Sequence, residues 1–217
     1  MTEAAIKAMI HLLDDSDQEV VTMVEQQIRT LGPSIIPVLE SEWETESLNP
    51  ILQTKIENLI HDFQWQSVKT RLQLWKESGG MDLLEGMWIL ATYRYPDYTF
   101  EQLKVEMDQL YYEVWPQMRE ELHPMDQVKV LNTVLFDQLK FGPNSKNFHA
   151  ANNSFINNVL SSKKGNPISL CVIYMWVAQK LGLPIYGVNL PNLFVLTYKQ
   201  KGLQFYINVF NKGLIFN

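Results

Sequence analysis

Residues 152–182 read NNSFINNVLSSKKGNPISLCVIYMWVAQKLG, and the second half of this stretch carries the clearest helix signals in the chain. Asn166 is a favourable N-cap, Pro167 suits the first helical position, and Gly182 favours termination. Between these residues almost every side chain is apolar, which is typical of a helix buried on all sides. At about 15 residues this helix is too short to span a membrane. We therefore expect it to form the centre of a globular core.

Strand patterns follow this helix, and helical patterns precede it. Strands are predicted where short apolar and aromatic runs end in turn residues, at 184–190, 193–198 and 203–210. Helices are predicted upstream from amphipathic spacing and capping residues, at 50–63, 65–78, 81–93, 99–114 and 124–140. This order of elements predicts an α+β protein.

The first 47 residues read as paired amphipathic helices. Ile6, Met9, Ile10 and Leu13 are spaced to occupy one face of a helix. The string that follows, LLDDSDQEVVTMVEQQIRTLGPSIIPVLESEWE, resembles a single HEAT-type repeat. One such repeat cannot bury its own apolar face, so we expect it to stack on the helices that come after it.

The composition predicts a soluble, cytoplasmic protein. A hydrophobic fraction of 46% with 12% aromatic residues is typical of a globular chain. A single cysteine allows neither an internal disulfide nor a cysteine-built zinc site, which fits a reducing compartment. The N-terminus lacks the basic start and small-residue cleavage site of a signal peptide, and no apolar run is long enough to cross a bilayer.

Charge is unevenly distributed along the chain, whose formal net charge is −6. Residues 141–217 contain seven Lys but no Asp or Glu, so all 24 carboxylate side chains lie in the first 140 residues. Two interpretations stay open. In the first, the amino-acid composition changes along the chain without a specific function, and the two oppositely charged parts attract each other. In the second, the C-terminal part presents a basic face to an anionic partner. In both cases the C-terminal part supplies no carboxylate to a site.

Sequence motifs for metal, nucleotide and serine chemistry are absent. The four histidines form no HxH or HExxH pattern, and no phosphate loop, GxGxxG or GxSxG string occurs. The one DxD string, Asp15-Ser16-Asp17, lies at a predicted helix start, where capping explains it. We therefore expect no metal and no cofactor, and neither nucleic acid nor a membrane as a partner.

Four strings within residues 131–213 carry a family resemblance: LNTVLFDQLKF, NNSFINNVLSSKKGNPISL, VAQKLGLPIYGVNLP and FYINVFNKG. In order and spacing they resemble the transglutaminase-like domain of the bacterial SirB-type family, whose members are often described as transglutaminase-like/TPR proteins. The upstream string LLEGMWILATYRYP is similar to the helical N-terminal part of that family. The resemblance implies a papain-like half, in which a central buried helix packs against a small antiparallel sheet.

Together, pattern and resemblance predict three parts within an α+β fold. Residues 1–47 form the HEAT-like segment, residues 48–140 a helical region, and residues 141–217 a degenerate transglutaminase-like core. We expect the three parts to form one continuous globular unit.

Active transglutaminase-like enzymes use a cysteine, a histidine and an aspartate, and the resemblance locates each position here. The cysteine would stand at the start of the central helix, where the positive helix end lowers its pKa, but this chain has Pro167 there. Leu193 replaces the histidine of a Pro-Gly-His-Phe string, and Asn208 replaces the aspartate of an Ile-Asp-x-Phe string. The nearest thiol, Cys171, comes one turn later, where burial should raise its pKa.

The unfilled triad positions predict a non-catalytic protein that acts as an interaction or scaffold module for a protein partner. The alternative is a cysteine-dependent hydrolase or acyltransferase that uses Cys171. That alternative requires His149 to reach the thiol from the preceding loop, because no histidine follows it in the sequence.

A ligand-binding site is predicted at the start of the central helix. Lys163, Lys164, Gly165 and Asn166 immediately precede the helix. Unpaired N–H groups and the helix dipole favour anions at such a position, and two lysines add positive charge. The alternative is that the two lysines only keep the loop solvated.

Overall fold

A computed structural model describes residues 2–45, 49–119, 121–191 and 193–216. The chain divides into two compact units, residues 1–76 and residues 77–217. The sequence patterns placed boundaries after residues 47 and 140, and residue 47 lies outside the described residues.

The first unit is helical. Its helices are α1 (Glu3–His11), α2 (Gln18–Leu31), α3 (Ile36–Thr45) and α4 (Pro50–Glu77). The core of the unit draws on every one of these helices, with Ile10, Ile28 and Leu39 from the first three. Helix α4 adds Leu52, Ile56, Leu59 and Phe63 to the same core. The apolar faces of the first 45 residues are therefore buried against α4.

The prediction of two helices over 50–63 and 65–78 was wrong, because α4 is one helix of 28 residues. Residues 51–77 contain no glycine or proline, so nothing in the chain interrupts the helix.

The second unit begins with helices and continues into a sheet. Its helices are α5 (Leu83–Ala91), α6 (Phe100–Val114), α7 (Pro124–Asn132), α8 (Ile156–Ser162) and α9 (Pro167–Lys180). Residues Thr133–Gln138 extend α7 as a π-helix. None of the described helices combines the length and the apolarity needed to cross a bilayer.

A four-stranded antiparallel sheet follows α9. Its strands are β3 (Ile185–Leu190), β4 (Leu193–Gln200), β5 (Leu203–Asn208) and β6 (Leu214–Phe216), in that spatial order. The three predicted strands are confirmed, whereas β6 was missed because three residues give no usable pattern. A two-residue parallel ladder was missed for the same reason, and it joins β1 (Gly142–Pro143) to β2 (Lys164–Gly165).

Helix α9 is the central element, as predicted. It packs against β3 and β4 and against α5 and α6, and buries nine of its residues, from Ser169 to Ala178. Asn166 and Ser169 form a reciprocal capping box at its start, and Gly182 adopts a φ of 80° after its end. The fold is α+β, with a small antiparallel sheet against a buried helix.

One partly buried polar contact links three distant parts of the second unit. Asn132 Nδ2 donates to the carbonyl oxygen of Gly213 at 2.9 Å, and the Tyr174 hydroxyl donates to Asn132 Oδ1 at 3.0 Å. A Cβ atom on Gly213 would stand 2.0 Å from Asn132 Oδ1, and Gly213 has a φ of 73°. The close approach and the left-handed backbone both therefore require glycine at this position.

Candidate functional site

A groove of about 440 Å³ lies at the start of α9, and we call it the helix-start groove. Four segments and Ser154 line it: residues 148–151, 166–168, 189–190 and 193–194. Three of its apolar side chains are substantially exposed: Ile168 by 52%, Phe148 by 44% and Leu193 by 37%. The groove is therefore an apolar surface that water covers only at a cost in free energy.

Buried Asn153 fixes the loop that forms one wall of this groove. Its Nδ2 donates to the carbonyl oxygens of Asn147 and Phe148, at 2.8 and 2.9 Å, and its Oδ1 accepts from Asn144 at 2.8 Å. Because these bonds satisfy a buried amide, they stabilise one conformation of the loop. They position Phe148 and His149 beside the helix start.

The capping box uses most of the polar groups at the start of α9. Asn166 Oδ1 accepts from the Ser169 N–H at 2.9 Å, and the Asn166 N–H donates to Ser169 Oγ at 3.1 Å. Asn166 Nδ2 donates to Ser154 Oγ at 3.0 Å. Pro167 has no N–H group to offer. The helix start therefore presents fewer free donors than an uncapped helix end would.

The structure brings together two of the three positions that the resemblance assigns to the triad. Pro167 and Leu193 both line the helix-start groove, from the first turn of α9 and the first residue of β4. Asn208 ends β5 and is not among the residues that line this groove. Its side chain accepts a hydrogen bond from the Asn211 N–H at 3.1 Å, so it caps the next turn.

Cys171 lies inside the core. Its exposed fraction is 0%, and its thiol donates to the carbonyl oxygen of Phe194 with an Sγ–O distance of 3.8 Å. Burial raises the pKa of Cys171 to about 12, because the thiolate would lose its hydration. At neutral pH the side chain is therefore an uncharged thiol.

His149 lines the helix-start groove, but Cys171 does not. The His149 ring meets the Phe148 ring edge to face, with a centroid distance of 5.1 Å. The Phe148 ring in turn meets the Phe210 ring in the same way, at 5.8 Å. The exposed imidazole thus belongs to an aromatic cluster on the groove wall.

The four predicted ligand-binding residues have different surroundings. Asn166 lines the groove, while Gly165 is buried and pairs with Pro143 in the parallel ladder. The Lys163 ammonium lies 4.7 Å from the Phe141 ring centre, and burial lowers the pKa of Lys163. Lys164 Nζ donates to the carbonyl oxygen of Lys140 at 3.3 Å. The two lysines and Gly165 are not among the residues that line the helix-start groove.

A second groove of about 710 Å³ adjoins the first, and we call it the edge groove. It lies between the chain just before α5, the C-terminal half of α9 and strand β3. Met81, with an exposed fraction of 89%, and Tyr186, with 51%, are on its walls. The two grooves share Asn189 and Phe194, so they adjoin each other along β3, and we call the two grooves together the depression.

Sequence reasoning missed the aromatic walls of these grooves. Phe148 lies in the Asn-rich loop before α8, and an aromatic residue among these polar ones was a usable signal. Phe194 belongs to a predicted strand, and its place between two grooves depends on the fold. Within the described part of the chain, no group of three His, Cys, Asp or Glu side chains is arranged to hold a metal ion.

Comparison with known proteins relates the chain to one family and to several curated proteins. A model of the transglutaminase-like superfamily matches residues 101–217. The mouse F-box only protein 21 is 38% identical over 91 residues, which is 38% of this chain and 14% of that protein. A UPF0162 protein of Xylella fastidiosa is 32% identical over 141 residues, which is 58% of this chain and 46% of that protein.

A UPF0162 protein of Vibrio cholerae is 26% identical over 136 residues, which is 62% of this chain and 50% of that protein. The chain therefore spans half or less of the length of these relatives. No solved structure gives a significant match. Because the family match covers more than half of its residues, the chain belongs to the transglutaminase-like superfamily.

Proposed function

We propose that this protein is a cytoplasmic, SirB-type member of the superfamily that has no catalytic activity and binds another protein as an interaction or scaffold module. One observation carries the proposal: Pro167 and Leu193, which the resemblance assigns to the positions of the nucleophile and the base, line a single groove. Neither side chain can ionise, attack a carbonyl carbon or accept a proton.

The position of Cys171 supports the absence of catalysis. A cysteine nucleophile acts as a thiolate, and it needs contact with the substrate and with a base. Cys171 is buried, its pKa is raised to about 12, and its thiol donates to a main-chain oxygen. Each of these three properties works against nucleophilic attack.

The exposed apolar side chains of the helix-start groove support protein binding. A groove of about 440 Å³ with Ile168, Phe148 and Leu193 exposed can take apolar side chains from a partner. Burying such anchors in a pocket supplies most of the free energy in many interfaces. A protein partner therefore suits the apolar lining of this groove.

A matched pair of charge substitutions tests this proposal. Leu193→Glu places a carboxylate in the helix-start groove, whereas Leu214→Glu places one on β6, where Leu214 is also exposed. Affinity capture from the native cytoplasm, with quantitative mass spectrometry, compares both variants with the unmodified chain.

We expect Leu193→Glu to reduce recovery of the specific partner by about tenfold or more, the effect of losing one anchor residue. Leu214→Glu should recover the partner normally, and both variants should keep the melting temperature of the parent. Equal recovery with both variants would contradict a protein-binding role for this groove.

The alternative function is a cysteine-dependent hydrolase or acyltransferase, and His149 on the groove wall is the observation that favours it. The test is turnover of activated esters and glutamine amides by the intact chain, by Cys171→Ala and by His149→Ala. We expect the three proteins to show the same background rate. Turnover that both substitutions abolish would overturn the non-catalytic proposal.

A further inference from the structure

Among the strands that the structure describes, none covers the outer edge of β3. The sheet order β3-β4-β5-β6 places β3 at the end of the sheet, paired only with β4. Its sequence, IYGVNL, contains no proline, no lysine and no other charged residue. Natural proteins usually protect edge strands with such residues or with a covering element, because an open edge pairs readily with another chain.

The hydrogen-bond register shows which main-chain groups of β3 point outward. The Lys199 N–H donates to the Pro184 carbonyl oxygen at 2.9 Å, just before the first residue pair of the β3–β4 ladder. Hydrogen-bonded pairs alternate in antiparallel strands, so positions 186, 188 and 190 bond to β4. Positions 185, 187 and 189 therefore direct their N–H and C=O groups away from β4.

Hydrogen bonds within the chain already use the outward main-chain groups of Ile185, the first of these positions. The Ile185 N–H donates to the Leu183 oxygen at 2.8 Å, and the Ile185 oxygen accepts from Gln179 Nε2 at 2.8 Å. Within the described residues, no hydrogen bond uses the outward groups of Gly187 or Asn189. These two residues are exposed and line the depression that the two grooves form.

We propose that a partner protein inserts an extended segment along β3, so that it becomes a fifth strand of the sheet and bonds to Gly187 and Asn189. This inference rests on the proposed interaction function and specifies its partner. Successive side chains of a strand point to opposite faces. Every second side chain of an added strand would therefore face the depression and be buried in the edge groove or in the helix-start groove.

Phe194 and Gly187 make this geometry possible. A Cβ atom on Gly187 would come within 2.8 Å of Phe194 Cζ, so the aromatic ring lies directly against the bare strand. The absence of a side chain at position 187 also leaves room for another backbone to approach closely. The ring of Phe194 then forms a floor that both grooves share.

The charges around the depression favour an acidic partner segment. No Asp, Glu, Lys or Arg lines either groove, so an apolar centre is expected in the ligand. Exposed Lys199, whose N–H donates to the Pro184 carbonyl oxygen, lies at one end of the depression. Exposed Lys146 belongs to the loop that forms the wall at the other end. Because residues 141–217 contain no Asp or Glu, the two lysine ends favour ligand carboxylates, whereas exposed Asp82, next to Met81 on the edge-groove wall, disfavours them there.

The test uses the intact chain and peptides selected on it from a random phage-displayed library. We expect enrichment of peptides with apolar residues between carboxylates, and a fluorescent copy of the best peptide should bind less tightly as salt is added. Methylation of single peptide N–H groups should weaken binding at alternate positions only, because an added strand uses every second N–H.

A matched pair of variants tests the same bonds from the protein side. Asn189→Pro removes an outward N–H without breaking the β4 ladder, and proline is tolerated at such edge positions. Asn189→Ala keeps that N–H and removes only the side chain. We expect a loss of affinity of about tenfold or more for the first variant and less than about twofold for the second.

Each other outcome overturns the strand proposal in a different way. Equal affinity for both variants, with no alternation in the methyl scan, would place the peptide elsewhere while the interaction function stands. A homodimer that Asn189→Pro dissociates in sedimentation would show that a second copy of the chain occupies β3. Failure to enrich any peptide rejects the strand proposal, and the Leu193→Glu capture experiment then decides the interaction function separately.

Discussion

The two compact units bury their apolar residues in different ways. In residues 1–76 each helix contributes one apolar face to the core, as with Ile10, Leu39 and Ile56. In residues 77–217 one helix, α9, is buried almost all round, and its neighbours pack against it. All four helices therefore contribute buried side chains to the first core, whereas the second core is built around the single helix α9.

The largest effect is expected from dividing the first unit. A fragment of residues 1–76 contains the complete core of that unit, so we expect a cooperative thermal transition by circular dichroism. A fragment of residues 1–47 lacks the four core residues of α4 and should show no cooperative transition, because its apolar faces have no partner. A cooperative transition in the shorter fragment would mean that the HEAT-like segment folds by itself.

The next effect concerns the start of α9. A Cβ atom on Gly165 would lie 2.5 Å from Ser169 Oγ and 2.9 Å from Val159 Cγ1. We expect Gly165→Ala to lower the free energy of unfolding by about 2–4 kcal/mol, through overpacking and loss of the capping box. Urea denaturation provides the measurement.

Gly142→Ala is the matched control for Gly165→Ala. Gly142 lies on the other strand of the same parallel ladder, where a Cβ atom would make only an ordinary contact of 3.6 Å with Lys164 Nζ. The cost should stay below about 1 kcal/mol. Equal costs for the two variants would show that the α9 start can relax around a side chain.

A smaller effect is expected inside α9. Cys171→Ala removes one buried sulfur atom and should cost about 1–2 kcal/mol of unfolding free energy, with no change in any activity. The native thiol should react with a maleimide far more slowly than free cysteine does. Labelling of the native chain at the rate of free cysteine would contradict burial of the thiol.

The pH dependence of that cost sharpens the prediction. Folding raises the pKa of Cys171 from an ordinary value of 9.0 to about 12, so the folded chain holds this proton more tightly than the unfolded chain does. The contribution of the protonated Cys171 thiol to the free energy of unfolding is complete below pH 9 and is lost as the pH rises toward 12. The cost of Cys171→Ala should therefore shrink above pH 9, by up to about 1.4 kcal/mol per pH unit.

The smallest effect on stability is expected from the lysine pair. Replacing both Lys163 and Lys164 by Gln should leave the melting temperature nearly unchanged, because their contacts are made at the surface or to one ring. If the pair binds an acidic or phosphorylated partner, the double variant should bind that partner less tightly than the parent chain when both are measured at low salt. Unchanged affinity at low salt would leave the lysines with only a solvating role.

The sequence predicted the parts of the fold that short-range chemistry determines. Asn166, Pro167 and Gly182 act locally, so they marked the ends of α9 correctly. The length of α4 was missed because two helices were predicted, at 50–63 and 65–78, although no residue between them breaks a helix.

The candidate site could be predicted only in part. The resemblance identified Pro167 and Leu193, and folding places both on one groove. Phe148 reaches that groove through the bonds of Asn153, and the outward groups of β3 depend on strand order. Neither arrangement has a local sequence pattern, because each joins segments that are distant along the chain.

The bond between Asn132 and Gly213 has a consequence for synthesis on the ribosome. Its two residues are 81 positions apart, whereas the bond from Lys55 to Leu13 in the first unit spans 42. At about 5–20 residues per second, Gly213 is made about 4–16 s after Asn132. The first unit can fold during that interval. The apolar surface of α9 stays uncovered until the last strands are made, and it is the part of the nascent chain that chaperones would bind.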